Sequence, residues 1–275
     1  MVKKLALEKK APSKVPAEGV SKGGWRTAGM IFLMCAWVVF AVIAVQFAVG
    51  FLMVRLLGTD VNKPVWTATF SAITYILAMA LVILVPPLLM REVKKTGRVQ
   101  KKLARTEKRM ELGLMGLPTW ADIGLAPIGF IVSMVLAAIL VTVFSLFPWF
   151  DAEQVQEVGF SVYMSGGDRI IAFLTLAVMA PIAEEIIFRG WLYGKMRNRL
   201  LGKVPEIWGI VLSTFVVSLV FGLVHMQWNV GVNVFALSVV LCILREITGT
   251  IYSGILTHMI KNGVAFFLLY VIGVG

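Results

Sequence analysis

Histidine and cysteine are nearly absent from this chain, and each scarcity narrows what it can do. There are two of each among 275 residues. Cys35 and Cys242 both fall within apolar runs, so a disulfide framework and a zinc-type cysteine cluster are excluded, and packing is the expected role for both. Charge is scarce as well: Asp, Glu, Lys and Arg make up 15% of the residues against 59% hydrophobic, with a mean hydropathy of +0.88. That balance excludes an ordinary soluble domain. No Gly-rich phosphate loop and no internal repeat is present. The alternating apolar and polar pattern of a membrane β-barrel strand is missing too.

What remains is long apolar runs. A bilayer core about 30 Å thick takes roughly 20 helical residues to cross. Runs of that kind occupy residues 29–57, 66–90, 125–147, 168–193, 208–224, 230–244 and 250–274. Backbone polar groups in lipid must be satisfied within each segment, which leaves helices. The expected fold class is all-α: a polytopic integral membrane helical bundle of about seven transmembrane helices, six to eight.

The formal charge of +11 is unevenly spread. Lys3, Lys4, Lys9, Lys10, Lys14, Lys22 and Arg26 precede the first run, nine basic residues lie between Arg91 and Arg109, and Lys195, Arg197, Arg199 and Lys203 follow the fourth run. With seven spans these segments share one side, which the positive-inside rule assigns to the cytoplasm. The loop with Asp151, Glu153 and Glu157 falls on the other. Topology and anionic headgroups account for the basic arms, so the partner they imply is a lipid bilayer, not nucleic acid. The expected location is a prokaryotic cell membrane with the N-terminus cytoplasmic. The organisation reads as a disordered basic tail over residues 1–28, two N-terminal spans over 29–90, a basic cytoplasmic connection over 91–124 ending in an interfacial piece, and a core over 125–275. The first run exceeds a signal-peptide core and no small-residue cleavage site follows it, so it reads as a retained anchor.

Against this background the few ionisable residues inside apolar runs stand out, because such a group costs several kcal/mol in hydrocarbon unless paired or wetted. Glu184 and Glu185 lie in the fourth run, His225 closes the fifth, and His258 with Asn262 lies in the last. Glu185 and Arg189 are four residues apart with the acid on the N-terminal side, the favourable order for an ion pair. Glu184 points about 100° away from that pair. Its surroundings then decide whether it becomes a general base. Counted from a hairpin turn at residues 200–206, Glu184 and His225 lie at roughly 24 and 30 Å, close enough to act together. His258 and Asn262 share a helix face. A glutamate with a neighbouring imidazole can deprotonate water, while a second imidazole and an amide can stabilise an oxyanion, so the set suits amide hydrolysis without Ser or Cys. Two alternatives stay open. Glu184, His225 and His258 could ligate zinc with an open fourth position, although a short His-Glu-x-x-His spacing is missing. The same site could also serve a non-catalytic scaffold or immunity protein, or a cation or proton carrier, although no paired inverted repeat is evident.

At these residues the chain resembles the CPBP group of intramembrane proteases, which includes the type II CAAX prenyl endopeptidases and the bacterial Abi proteins. Glu184-Glu185-x-x-x-Arg189, Phe221-x-x-x-His225 and His258-x-x-x-Asn262 are similar to the three motif boxes of that group, in the same order. The small-residue stretch from Thr248 to Thr257 resembles its approach to the last box. The resemblance spans about residues 112–275 and implies an endopeptidase acting near the membrane on a membrane-anchored, lipidated (CAAX-like) or secreted-peptide substrate. It implies Glu184 as catalytic base, His225 as its partner on water, Glu185 and Arg189 as support, and His258 with Asn262 as the oxyanion site. No cofactor is then required, zinc being the alternative. The position of His258 near the start of the last span predicts a cavity wetted from the cytoplasmic, basic side.

Overall fold

A computed structural model describes residues 20–60, 63–89, 111–154, 160 and 166–273. Among them seven helices are long and apolar enough to cross a membrane. We label them α1 (Gly24–Leu56), α2 (Pro64–Pro86), α3 (Trp120–Phe144), α4 (Gly166–Leu200), α5 (Glu206–Leu223), α6 (Trp228–Thr248) and α7 (Tyr252–Ile272). No strand occurs among the described residues. The protein is an integral membrane helical bundle, as its apolar runs require. Helicity reaches back to Val20, inside the segment read as a disordered tail. The rest of that tail and most of the basic connection lie outside the described residues.

Two packing centres divide the bundle. α6 packs against α3 and α5, while α1 pairs with α2 and both lean on α4. Close approach of α5 to α6 depends on glycine: a Cβ on Gly222 would stand 2.8 Å from the Gly231 carbonyl oxygen. Most outward positions on α1, α2 and α3 are apolar and exposed, as expected where lipid is the solvent.

α4 is the irregular element. It winds as π-helix over Leu174–Met179 and again over Ile186–Tyr193, with a six-residue α-helical segment, Ala180–Glu185, between them. Pro181 explains part of this, since a proline ring clashes with the carbonyl four residues back and removes one hydrogen bond. Widening of the preceding turn relieves both, and such π segments concentrate at functional sites. The two adjacent glutamates sit at the end of this short segment.

At the end of the bundle that carries the basic residues of α4, polar side chains form a clasp. Tyr193 and Arg197 both donate to Glu246, at 2.9 and 2.7 Å. Lys195 and Asn198 reach Glu111, and Thr250 donates to Asp122. Tyr252 donates to the Gly116 carbonyl. This clasp covers the first turn of α7.

Candidate functional site

The two glutamates, adjacent in sequence, occupy opposite environments. Glu185 is completely buried and accepts from Arg189 Nη1 at 2.9 Å, so the pair expected from its four-residue spacing forms. Arg189 is equally buried, with its guanidinium carbon 4.3 Å from the centroid of the Phe221 ring. Gly254 makes room for this arrangement: a Cβ there would lie 3.1 Å from Glu185 Oε2. Glu184 instead lines a cavity of about 420 Å³, with its side chain 18% exposed. Its Oε1 accepts a 3.1 Å hydrogen bond from Tyr75 on α2.

His258 joins the two acids. Its Nδ1 lies 3.1 Å from Glu185 Oε1, and because a carboxylate only accepts, Nδ1 carries the proton. Its Nε2 faces Glu184 Oε2 at 3.8 Å. His225 was expected to be the partner of Glu184, but the closer imidazole is that of His258. The reason is local: α5 ends at Leu223, and His225 lies in the turn before α6, not within a span. Met226 completes that turn at φ 57°. His225 Nδ1 donates to the Phe221 carbonyl at 2.7 Å, which leaves Nε2 as a lone pair in the cavity wall. Burial pushes its pKa down, which favours this neutral form. Asn262 lines the same cavity and gives one amide hydrogen to the Leu176 carbonyl at 3.0 Å. Its second has no partner among the described residues.

Of the six residues singled out from the sequence, Glu184, His225, His258 and Asn262 therefore meet at one cavity, whereas Glu185 and Arg189 stand behind it. Two cavity residues escaped the sequence reading, Tyr75 and Lys261. Lys261 carried a signal, being a charge within an apolar run. Tyr75 carried none.

The direction of the cavity departs from expectation. Its lining runs from the middle of the bundle through Gln46, Phe70, Val224, Val234 and Leu269. These positions lie towards the end carrying the α5–α6 turn, opposite the basic connections. At the basic end the start of α7 is held by the clasp, with Thr250 on Asp122 and Tyr252 on the Gly116 carbonyl.

As a metal site the set is a poor fit. No three His, Cys, Asp or Glu among the described residues are grouped to hold an ion. Both imidazoles have Nδ1 engaged, so only their Nε2 atoms could ligate.

Comparison with known proteins agrees with the motif boxes. Residues 166–264 match the family of type II CAAX prenyl endopeptidase Rce1-like proteins. The membrane-embedded CAAX protease MroQ of Staphylococcus aureus (strain USA300) is 24% identical over 144 residues, covering 52% of this chain and 55% of that protein. The match thus spans about half the length of the curated relative. No solved structure matches. Residues 166–264, which hold all three boxes, are thus similar to the Rce1-like proteins.

Proposed function

We propose that this chain is a glutamate-dependent intramembrane endopeptidase that hydrolyses a peptide bond near the membrane, in a lipidated (CAAX-like) or secreted-peptide substrate. One observation carries the reading most directly: Glu185 is buried, tied to Arg189 and His258, while Glu184 alone reaches the cavity. A carboxylate that is held by one tyrosine and faces a wet cavity is free to take a proton from water. His225 Nε2, a lone pair in the same wall, orients that water from a second direction. As the tetrahedral intermediate forms, His258 in its protonated form and the second amide hydrogen of Asn262 donate to the oxyanion. The Glu185–Arg189 pair fixes the ring of His258 through Nδ1. Proton delivery to the leaving amine falls to Glu184, which holds the proton taken from water.

The deciding experiment is cleavage of a panel of lipidated and unlipidated peptides by purified protein, with Glu184→Gln as control. Turnover that depends on Glu184 supports the protease. Absence of any turnover, together with ion-dependent transport in vesicles, would favour the carrier.

Two further outcomes belong to this reading. Tyr75→Phe removes the hydroxyl that holds Glu184. A hydrogen bond to a charged group is worth about 1.5–3 kcal/mol, so kcat should fall about ten-fold or more with little change in KM. An unchanged kcat would remove Tyr75 from the site. If Glu184 and the imidazoles activate water unaided, dialysis against strong chelators leaves activity intact, and elemental analysis finds far less than one zinc per chain. Stoichiometric zinc with chelator-sensitive turnover would replace this mechanism with a metal-assisted one.

A further inference from the structure

Lys261 occupies a position that a lysine rarely holds. α7 spans 21 residues from Tyr252 to Ile272, which places Lys261 roughly 14 Å from one end and 16 Å from the other. A lysine near a helix end carries its charge out to the interface along its own flexible stem, but from mid-span the stem is too short to reach either surface. Lys261 lines the cavity instead and, among the described residues, is the one Lys or Arg in its wall. An ionisable group at this depth marks a site for an ion, a proton or a substrate by default.

Its neighbours do not consume the charge. Among the described residues Lys261 makes no hydrogen bond and no ion pair within 4.0 Å, and it feels Glu184 only at longer range. The other charged groups are already engaged: Arg189 with Glu185, Glu185 also with His258, and Glu184 with Tyr75. An ammonium brings three donors and accepts nothing. The same cavity wall also carries apolar side chains, among them Phe70, Ala265, Phe266 and Leu269. A fixed cation in this wall favours an anionic group of a ligand over a neutral one.

We propose that Lys261 is a specificity-determining residue that binds a carboxylate of the substrate peptide within one or two residues of the bond to be cut. The spacing comes from the helix. Lys261 follows His258 by three residues on the same face, about one turn or roughly 4.5 Å along the axis. One extended peptide residue covers about 3.3–3.6 Å, so a chain lying against His258 presents its neighbouring residue or the one after it to the ammonium. The carboxylate has two sources, the C-terminus of the substrate or an Asp or Glu side chain. The location of the cut bond rests on the protease reading; carboxylate binding does not.

The test is equilibrium binding to the full chain in detergent, with N-acetylated Leu-Leu-Leu as free acid, as C-terminal amide, and as an amide whose last residue is Glu. The free acid is expected to bind at least ten-fold tighter than the amide. Lys261→Gln should erase that preference while leaving affinity for the amide unchanged, and Lys261→Arg should restore it. Tight binding of the Glu-containing amide would identify a side-chain carboxylate as an accepted source, and weak binding would assign the site to the C-terminus. Equal affinity of the parent protein for acid and amide, or no binding of either, would overturn the proposal. So would a Lys261→Gln variant that weakens every ligand alike. A carboxylate preference in a protein that cleaves nothing would sink the protease reading and leave this site standing.

Discussion

Replacing Glu184 with Gln is expected to abolish turnover while leaving the protein folded. The amide keeps an oxygen where Glu184 Oε1 accepts from Tyr75, so the packing of α2 on α4 survives. What disappears is the proposed proton acceptor. Positioned general acid–base groups contribute about 10²–10⁴-fold, and the loss should appear in kcat. Cleavage of a lipidated peptide panel by purified protein measures it, with monodispersity in detergent as the control for folding. His225→Ala should be similarly severe, since it removes the second group facing the water. Undiminished cleavage by the Glu184→Gln protein would end the proposed mechanism.

The largest effect on stability is expected at Arg189. Its guanidinium and the Glu185 carboxylate are both fully buried and 2.9 Å apart. Removing one partner strands the other charge, at a cost of about 3–5 kcal/mol. Arg189→Leu should therefore lower the melting temperature in detergent sharply. It also takes away the cation stacked on Phe221. Glu185→Gln leaves Arg189 without its counter-charge and frees His258 Nδ1, so part of its effect on activity should come through stability. Combining Glu185→Gln with Arg189→Leu should recover part of the loss, since no charge is then left behind. A single Arg189→Leu variant that melts with the parent would mean that the pair contributes nothing to holding α4 in place.

How much of this was legible in advance depends on which interactions are local. The seven spans could be read from the chain because hydrocarbon imposes its own rule: roughly 20 apolar residues, each satisfying its backbone within its own helix. The Glu185–Arg189 pair could be read because both partners lie on one helix, four residues apart, and no neighbour is needed to bring them together. The three boxes pointed to a common site for the same reason, each being a pair of side chains on one helical face or at its end.

Contacts between helices were not legible. Tyr75 meets Glu184 across 109 residues, and the nearly uniform apolarity of α2 offers no stripe that would show which face turns inward. His258, not His225, lies nearer Glu184, because α5 stops at Leu223 and leaves His225 in the turn that follows. Lys261 was visible as a charge out of place, yet only packing shows that its side chain enters the cavity. The clasp at the start of α7 was equally out of reach, a network of side chains drawn from four helices and the loop before α3. Sequence alone thus determined the class, the spans and the residues worth watching, since solvent and helical spacing act on each segment separately. Their pairing, and the end of the bundle towards which the site extends, were decided only when rotation and depth of each helix were set by its neighbours.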